Sequence, residues 1–100
     1  KQLTVMDVTL APGRGHDFHQ HPDQEEVIVV QSGQIEQWLE QERTTLGPGE
    51  AVFIAPSTIH ASFTSGNEPA RLTVMLAPCV GEGGYEAVDV SSEEPWRSLR

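Results

Sequence analysis

The chain has 100 residues, the size of one ordinary domain, and 37% of them are hydrophobic. Its formal net charge of -9 repels phosphate backbones and anionic lipid head groups, so the composition argues against nucleic acid and membranes as partners. The apolar runs are too short to span a bilayer, and the absence of a signal-peptide pattern predicts a cytoplasmic location. Cys79 is the single cysteine, which excludes an intrachain disulfide.

Short segments rich in β-branched and apolar residues, separated by Gly and Pro turns, fill most of the chain. They predict strands at residues 3–10, 26–31, 35–40, 43–46, 51–55, 60–64 and 71–77. No segment before residue 80 has the periodicity of a helix. Strands this short and numerous predict an all-β antiparallel sandwich or small barrel, because such closure covers most sheet edges.

The end of the chain differs in composition from the rest, being Gly-rich and then acidic. We therefore predict a barrel over residues 1–80 and a tail over residues 81–100 that packs on the barrel or extends from it. The tail is expected to be loosely ordered or to form a short terminal helix that begins at Ser91 or Ser92.

A cluster of histidine and glutamate follows the first predicted strand. His19 and His21 are two residues apart, so on an extended strand their imidazoles point the same way and can share one ion. Glu26 lies beyond a turn at Pro22 and Asp23 and could close the same site. Imidazole and carboxylate together suit a divalent transition metal better than calcium or magnesium. The pattern therefore predicts a metal site.

The spacing of this cluster resembles the cupins, small jelly-roll β-barrels recognised by two short motifs. The first motif asks for Gly, His-x-His, Glu and Gly at set spacings. All of its positions are matched here, by Gly13, His19, His21, Glu26 and Gly33.

The second cupin motif is matched in part. Gly49 and His60 fit it, whereas Ala55, Ser57 and Thr64 stand where the family has Pro, Gly and Asn. These departures put the geometry of the loop in question more than the histidine ligand.

The resemblance implies a small double-stranded jelly-roll β-barrel that holds one metal ion inside. Carried over residue by residue, the ligands are His19, His21, Glu26 and His60. Such a set leaves one or two positions open on a five- or six-coordinate ion. The expected ion is divalent manganese, iron, nickel, copper, cobalt or zinc.

Several neighbours of these ligands are further candidates. Glu25 is the alternative to Glu26, since its spacing from the histidines is also allowed, but it should point to the other face of the strand. His16 is interpreted as a residue at the rim of the site and not as a fifth ligand. Ser62 and Thr64 should share the inward face of their strand, where they could contact a ligand or orient an imidazole.

Other large side chains are expected in the core or in an interface: Trp38, Phe53, Phe63, Met6 and Met75. Arg71 alternates with Leu72 on a predicted strand, and we expect it to point outward to solvent.

Two classes of function are consistent with these residues. One is a metal-dependent enzyme, most simply a dioxygenase acting on a small oxygen-rich organic substrate, with a metal-dependent isomerase as a variant. The other is a module that binds or senses a small molecule or a metal without catalysis. The open metal positions favour the enzyme, and the shortness of the chain favours the module.

The strand after Glu26 also predicts the oligomeric state. Val27 and Val29 are expected on its outward face, which gives a small barrel more hydrophobic surface than one copy can cover. The sequence therefore predicts a homodimer, with the N-terminal strand or the tail as the alternative cover for these valines.

Overall fold

The fold is described from a computed structural model of the chain, which covers residues 2–100. Apart from one short 3₁₀ helix at Trp96–Ser98, its regular structure consists of strands. The strands are β1 (Thr4–Leu10), β2 (Gly15–Gln20), β3 (Glu25–Ser32), β4 (Ile35–Leu39), β5 (Glu42–Leu46), β6 (Ala51–Ile54), β7 (His60–Thr64), β8 (Ala70–Ala77) and β9 (Val88–Asp89). No helix within residues 2–100 is long and apolar enough to cross a membrane.

The strands form two antiparallel sheets. The four-stranded sheet has the order β1-β8-β3-β6, and the five-stranded sheet has the order β5-β4-β7-β2-β9. Neighbours in each sheet are mostly distant in sequence, as in a jelly roll. The predicted all-β jelly-roll fold is confirmed, and the predicted strand ends differ from the observed ones by at most one residue.

The main hydrophobic core lies between the two sheets and comes mostly from the four-stranded one. Alternation along β8 buries Leu72, Val74 and Leu76, while Arg71 points outward with 60% of its side chain exposed, as expected. β3 contributes Ile28 and Val30 in the same way. Removing one of these fully buried side chains would cost about 2–5 kcal/mol, because the cavity could not refill.

The first sequence motif covers β2, β3 and the turns beside them. Gly15 lies where β2 approaches β7, and a Cβ atom at this position would be 2.3 Å from the carbonyl oxygen of Ser62. A side chain at Gly15 would therefore push the two strands apart. Gly33 has a φ of +78° in the turn after β3, which a residue with a side chain adopts with strain.

The tail packs on the outer face of the five-stranded sheet. β9 pairs with β2, and Trp96 is buried in a second cluster with Phe18, Trp38 and Phe63. A 3₁₀ helix begins at Trp96, later than the predicted start at Ser91 or Ser92. β9 has two residues, too few for a periodic signal, so the sequence did not predict it.

The outer face of the four-stranded sheet is more exposed. Val5, Met75, Val27 and Phe53 lie in register across its four strands, and we call them the outer row. Val5 is 60% exposed and Phe53 is 58% exposed, while Met75 and Val27 are partly buried.

Candidate metal centre

Four side chains converge between the two sheets. β2 supplies His19, β7 supplies His60 directly opposite it, and β3 supplies Glu26 from the other sheet. His21 follows β2 by one residue. All four are buried, and one ligand atom from each lies within 4.8 Å of the others, so the group could hold one metal ion. These are the four residues that the motifs indicated.

Each imidazole of the group is fixed by a backbone carbonyl. The Nδ1 of His19 is 2.6 Å from the oxygen of Asp17, and the Nδ1 of His60 is 2.9 Å from the oxygen of Thr58. The Nδ1 of His21 is 2.7 Å from the oxygen of Glu86. Because a carbonyl can only accept, each Nδ1 donates, which leaves Nε2 of the neutral rings free to bind a metal.

Burial and proximity set the protonation of the group. Burial lowers the pKa of His19 to about 3, and the rings of His60 and His16 act in the same direction. Burial would raise the pKa of Glu26, but the neighbouring His21 and His60 outweigh it and lower this pKa to about 2. At neutral pH the group therefore offers a neutral imidazole at His19 and a carboxylate at Glu26, as metal binding requires.

Two buried atoms at the centre of the group suit an ion. Glu26 Oε1 lies 3.0 Å from His60 Nε2 and 3.2 Å from His21 Nε2. Even so, Glu26 Oε1 and His60 Nε2 have no well-formed hydrogen bond to any residue of 2–100. Unsatisfied buried polar atoms are costly, and a cation among them removes the cost. Three imidazoles and one carboxylate are donors that borderline transition metals prefer.

The loop before β7 contains the residues that depart from the family motif. Ser57, which stands where the motif has Gly, adopts a φ of +65°, the left-handed conformation that Gly favours. Its backbone nitrogen donates to the carbonyl of His21 at 3.1 Å. With Ser at this position the loop is therefore hydrogen-bonded to His21, and Ser57 carries some backbone strain.

Gln24 connects the site to the tail, and the sequence analysis did not identify it. Its buried amide donates to the carbonyls of Pro78 and Gly84 and accepts from the backbone nitrogen of Glu86. The carbonyl of Glu86 in turn orients His21. A glutamine in a turn has no motif of its own, so this role emerges from tertiary contacts alone.

A cavity of about 240 Å³ adjoins the four ligands. His16 and Ser62 are among its lining residues, and the ring of His16 stacks on that of His19 with the ring centroids 3.6 Å apart. The Thr64 hydroxyl donates instead to the carbonyl of Ala11 at 2.9 Å. Glu25 is exposed, as its strand position predicted.

Two further residues of the cavity lining were not expected there. Tyr85, from the tail, lies edge-on to the ring of His21 with the ring centroids 6.1 Å apart. Met6, expected in the core or an interface, also faces the cavity. Tyr85 is far from the motifs in sequence, so nothing in the pattern around it could have placed it at the site.

Solved structures support this fold. A protein with a double-stranded beta-helix domain from Klebsiella pneumoniae subsp. pneumoniae MGH 78578 is 26% identical, with a TM-score of 0.75; the match covers 88% of this chain and 76% of that one. KdgF from Halomonas sp. is 25% identical, with a TM-score of 0.73 and coverages of 77% and 69%.

The DMSP lyase DddQ from Ruegeria pomeroyi DSS-3 is 29% identical, with a TM-score of 0.73. The match covers 92% of this chain but 45% of the lyase, so the chain spans about half of that protein's length. No curated protein sequence gives a significant match.

The sequence matches the cupin domain family, Cupin_2, over residues 6–76. Most of the chain is included in that match, and the protein belongs to the cupin family.

Proposed function

We propose that this cupin is a metal-dependent oxygenase that holds one divalent transition metal per chain and acts on a small organic substrate. The observation that carries the proposal is the buried group of His19, His21, Glu26 and His60 beside a cavity large enough for a ligand. A redox-active ion in this group would supply the electron transfer that dioxygen chemistry needs.

The charge of the site supports a substrate that is a monoanion or becomes one on binding. A divalent ion with one carboxylate and three neutral imidazoles has a net charge of about +1 in a largely apolar cavity. An enolate, a phenolate or a carboxylate would compensate that charge. The fixed Nδ1 contacts of the imidazoles hold the ligand set in place, and the aliphatic part of the lining excludes water.

The solved structures give the enzyme some support over a binding module. The similar protein from Ruegeria pomeroyi is named as a lyase, so one protein that contains a similar fold is an enzyme. The cytoplasmic location and the absence of nucleic-acid partners stay predictions from composition.

Metal exchange tests the oxygenase. The metal-free protein is loaded separately with iron(II), manganese(II) and zinc(II), the metal content is measured, and oxygen uptake is followed with small diketones and catechols. We expect uptake with iron or manganese and none with zinc, which cannot pass electrons. Uptake with zinc, or none with any redox metal, would contradict an oxygenase and favour an isomerase or a binding module.

We also propose that the chain forms a homodimer through the outer row, with a second copy of the same face. The tail covers the other sheet, so it does not cover Val5 and Phe53. The same face carries the ion pair between Arg71 and Asp7, at 2.7 Å, so the charges of these two residues cancel within one copy. In a two-fold arrangement each Arg71 could also meet the other copy's Asp7.

A further inference from the structure

The cavity has two unlike walls. Its polar end holds the four candidate ligands together with His16, Ser62 and Tyr85. The opposite wall is aliphatic and comes from the inner face of the four-stranded sheet: Met6, Val8, Leu10, Ile28, Leu72, Val74 and Leu76. A ligand whose head group reaches the metal therefore has its remaining atoms against hydrocarbon.

Few polar groups beyond the metal ligands are free to recognise a substrate. The hydroxyl of Ser62 donates to the buried Oε1 of Gln37 at 2.6 Å, so its proton is already engaged. His16 and Tyr85 remain. A sugar or other polyol buried here would leave several hydroxyls unpaired, and each unpaired group costs binding free energy.

The cavity also lacks a partner for a second negative charge. Among residues 2–100, its lining includes no Lys or Arg. Arg71 pairs with Asp7 on the outer face, Arg97 pairs with Glu94, and Arg100 reaches Glu36. A metal site of charge about +1 balances one anionic group, so a phosphate dianion or a dicarboxylate would bring an uncompensated charge into an apolar space.

The cavity volume gives the approximate size of the part of a ligand that it can enclose. At about 30 Å³ for each water molecule, a cavity of about 240 Å³ has room for about eight waters. A ligand of comparable volume has on the order of eight non-hydrogen atoms.

We propose that this cavity selects a small monoanionic organic ligand with one oxygen head group on the metal and an unsubstituted hydrocarbon remainder against the aliphatic wall. Polyols, sugars, phosphate esters and dicarboxylates are excluded. The inference rests on the proposed metal site, but it concerns binding and does not depend on oxygenase chemistry.

Calorimetry with the zinc-loaded protein tests the selection without turnover. The probes are acetate, butyrate and hexanoate, which differ in chain length, and then 6-hydroxyhexanoate and adipate, which have the same number of carbon atoms as hexanoate. Each added methylene should tighten binding by up to about fourfold, with an increasingly negative heat-capacity change. The terminal hydroxyl of 6-hydroxyhexanoate should weaken binding at least about fivefold, and adipate should bind more weakly still.

Two valines on β1 test whether the aliphatic wall of the cavity contacts the hydrocarbon part of the ligand. Val8 faces the cavity, whereas Val5 is on the outer face of the same strand. Val8→Thr should reduce the preference for hexanoate over acetate, and Val5→Thr should leave it unchanged.

Three results would overturn the proposal: affinity independent of chain length, adipate or 6-hydroxyhexanoate binding as tightly as hexanoate, or equal effects of the two valine substitutions. Failure of the metal site would be recognised separately, because the protein would retain no zinc before any ligand is added. Failure of the oxygenase reaction alone would leave the ligand preference intact.

Discussion

The two sheets of this barrel differ on both of their faces. The five-stranded sheet carries histidines and other polar groups on its inner face, and the tail covers its outer face with Trp96 and Val90. The four-stranded sheet has an inner face that is aliphatic apart from Glu26 and the terminal Thr4, and its outer row is partly exposed. The five-stranded sheet thus supplies most of the polar site residues and is covered by the tail. The four-stranded sheet supplies most of the hydrophobic core and has an exposed apolar surface.

The largest expected effect is the loss of a ligand from the five-stranded sheet. His60→Ala removes a buried ring whose Nε2 makes no well-formed hydrogen bond within residues 2–100 and faces the proposed ion, so metal affinity should fall by more than about a hundredfold. Elemental analysis after gel filtration measures this. The control is His16→Ala, which removes a neighbouring imidazole outside the ligand group and should keep one metal per chain. Full metal in the His60 variant would contradict the site.

The next largest effect, on stability, is expected from the tail residue Trp96, which covers the five-stranded sheet. Trp96→Ala exposes Phe18, Trp38 and Phe63 and leaves a cavity, so the free energy of unfolding should fall by about 3–5 kcal/mol in urea titrations. Tyr85→Ala, in the same tail but more exposed, should cost much less stability. Equal costs would mean that the tail contributes as a whole and not through the buried indole.

Gln24 tests how the tail supports the metal. Gln24→Leu preserves volume but removes the amide contacts to Pro78, Gly84 and Glu86, so the carbonyl that orients His21 loses its support. Metal affinity, measured by competition with a chelator, should fall about 10- to 100-fold. Gln31→Leu is the matched control, since Gln31 is exposed and bonds only to Thr73 within residues 2–100. A normal metal affinity in the Gln24 variant would mean that these contacts to the tail do not support metal binding.

The polar inner face should make the metal-free protein sensitive to acid. His19 has a pKa of about 3 when folded and 6.5 when unfolded, so the unfolded state binds more protons between these values and stability falls as the pH drops below 6.5. Glu26 has a folded pKa of about 2 against 4.5 unfolded, so its contribution is lost as the pH drops below 4.5.

The pKa of His21 is shifted upward, so its effect on the pH dependence of stability is opposite to that of His19 and Glu26. Burial would lower its pKa, but Glu26 and the Glu86 carbonyl raise it, so its contribution is fully present below pH 6.5 and is lost at higher pH. Below pH 6.5, urea titrations should therefore show a loss of at most about 1.4 kcal/mol per pH unit for each titrating group. Glu26→Gln should remove only the Glu26 share of the loss below pH 4.5, since His19 still titrates down to its folded pKa of about 3. A flat profile in the parent protein would contradict the protonation states described.

The outer row should give the smallest change in the stability of one copy. Phe53→Ser alters a side chain that is already 58% exposed, so unfolding of the monomer should change by less than about 0.5 kcal/mol. Sedimentation equilibrium should nevertheless show weaker self-association, because the row loses its largest apolar group. Thr44→Ser, an exposed change on the edge strand β5, is the control. A parent protein that is monomeric at micromolar concentration would exclude the dimer.

Much of this molecule follows from local sequence patterns. Alternation of apolar and polar residues predicts the strands and the faces they bury, as in β8, because side chains on a strand point alternately to two sides. The resemblance to the cupin motifs implies His19, His21, Glu26 and His60 as one group, and the fold brings these four together from different strands.

The tertiary structure determines the features that join distant parts of the chain. The tail has no periodic pattern, yet it pairs with β2, buries Trp96 and brings Tyr85 and the Glu86 carbonyl to the site. Gln24 supports that arrangement through contacts about sixty residues away. The aliphatic wall of the cavity exists because strands of the four-stranded sheet lie opposite the histidines. Sequence patterns report which way a side chain points, whereas what it meets there depends on the packing of the whole fold.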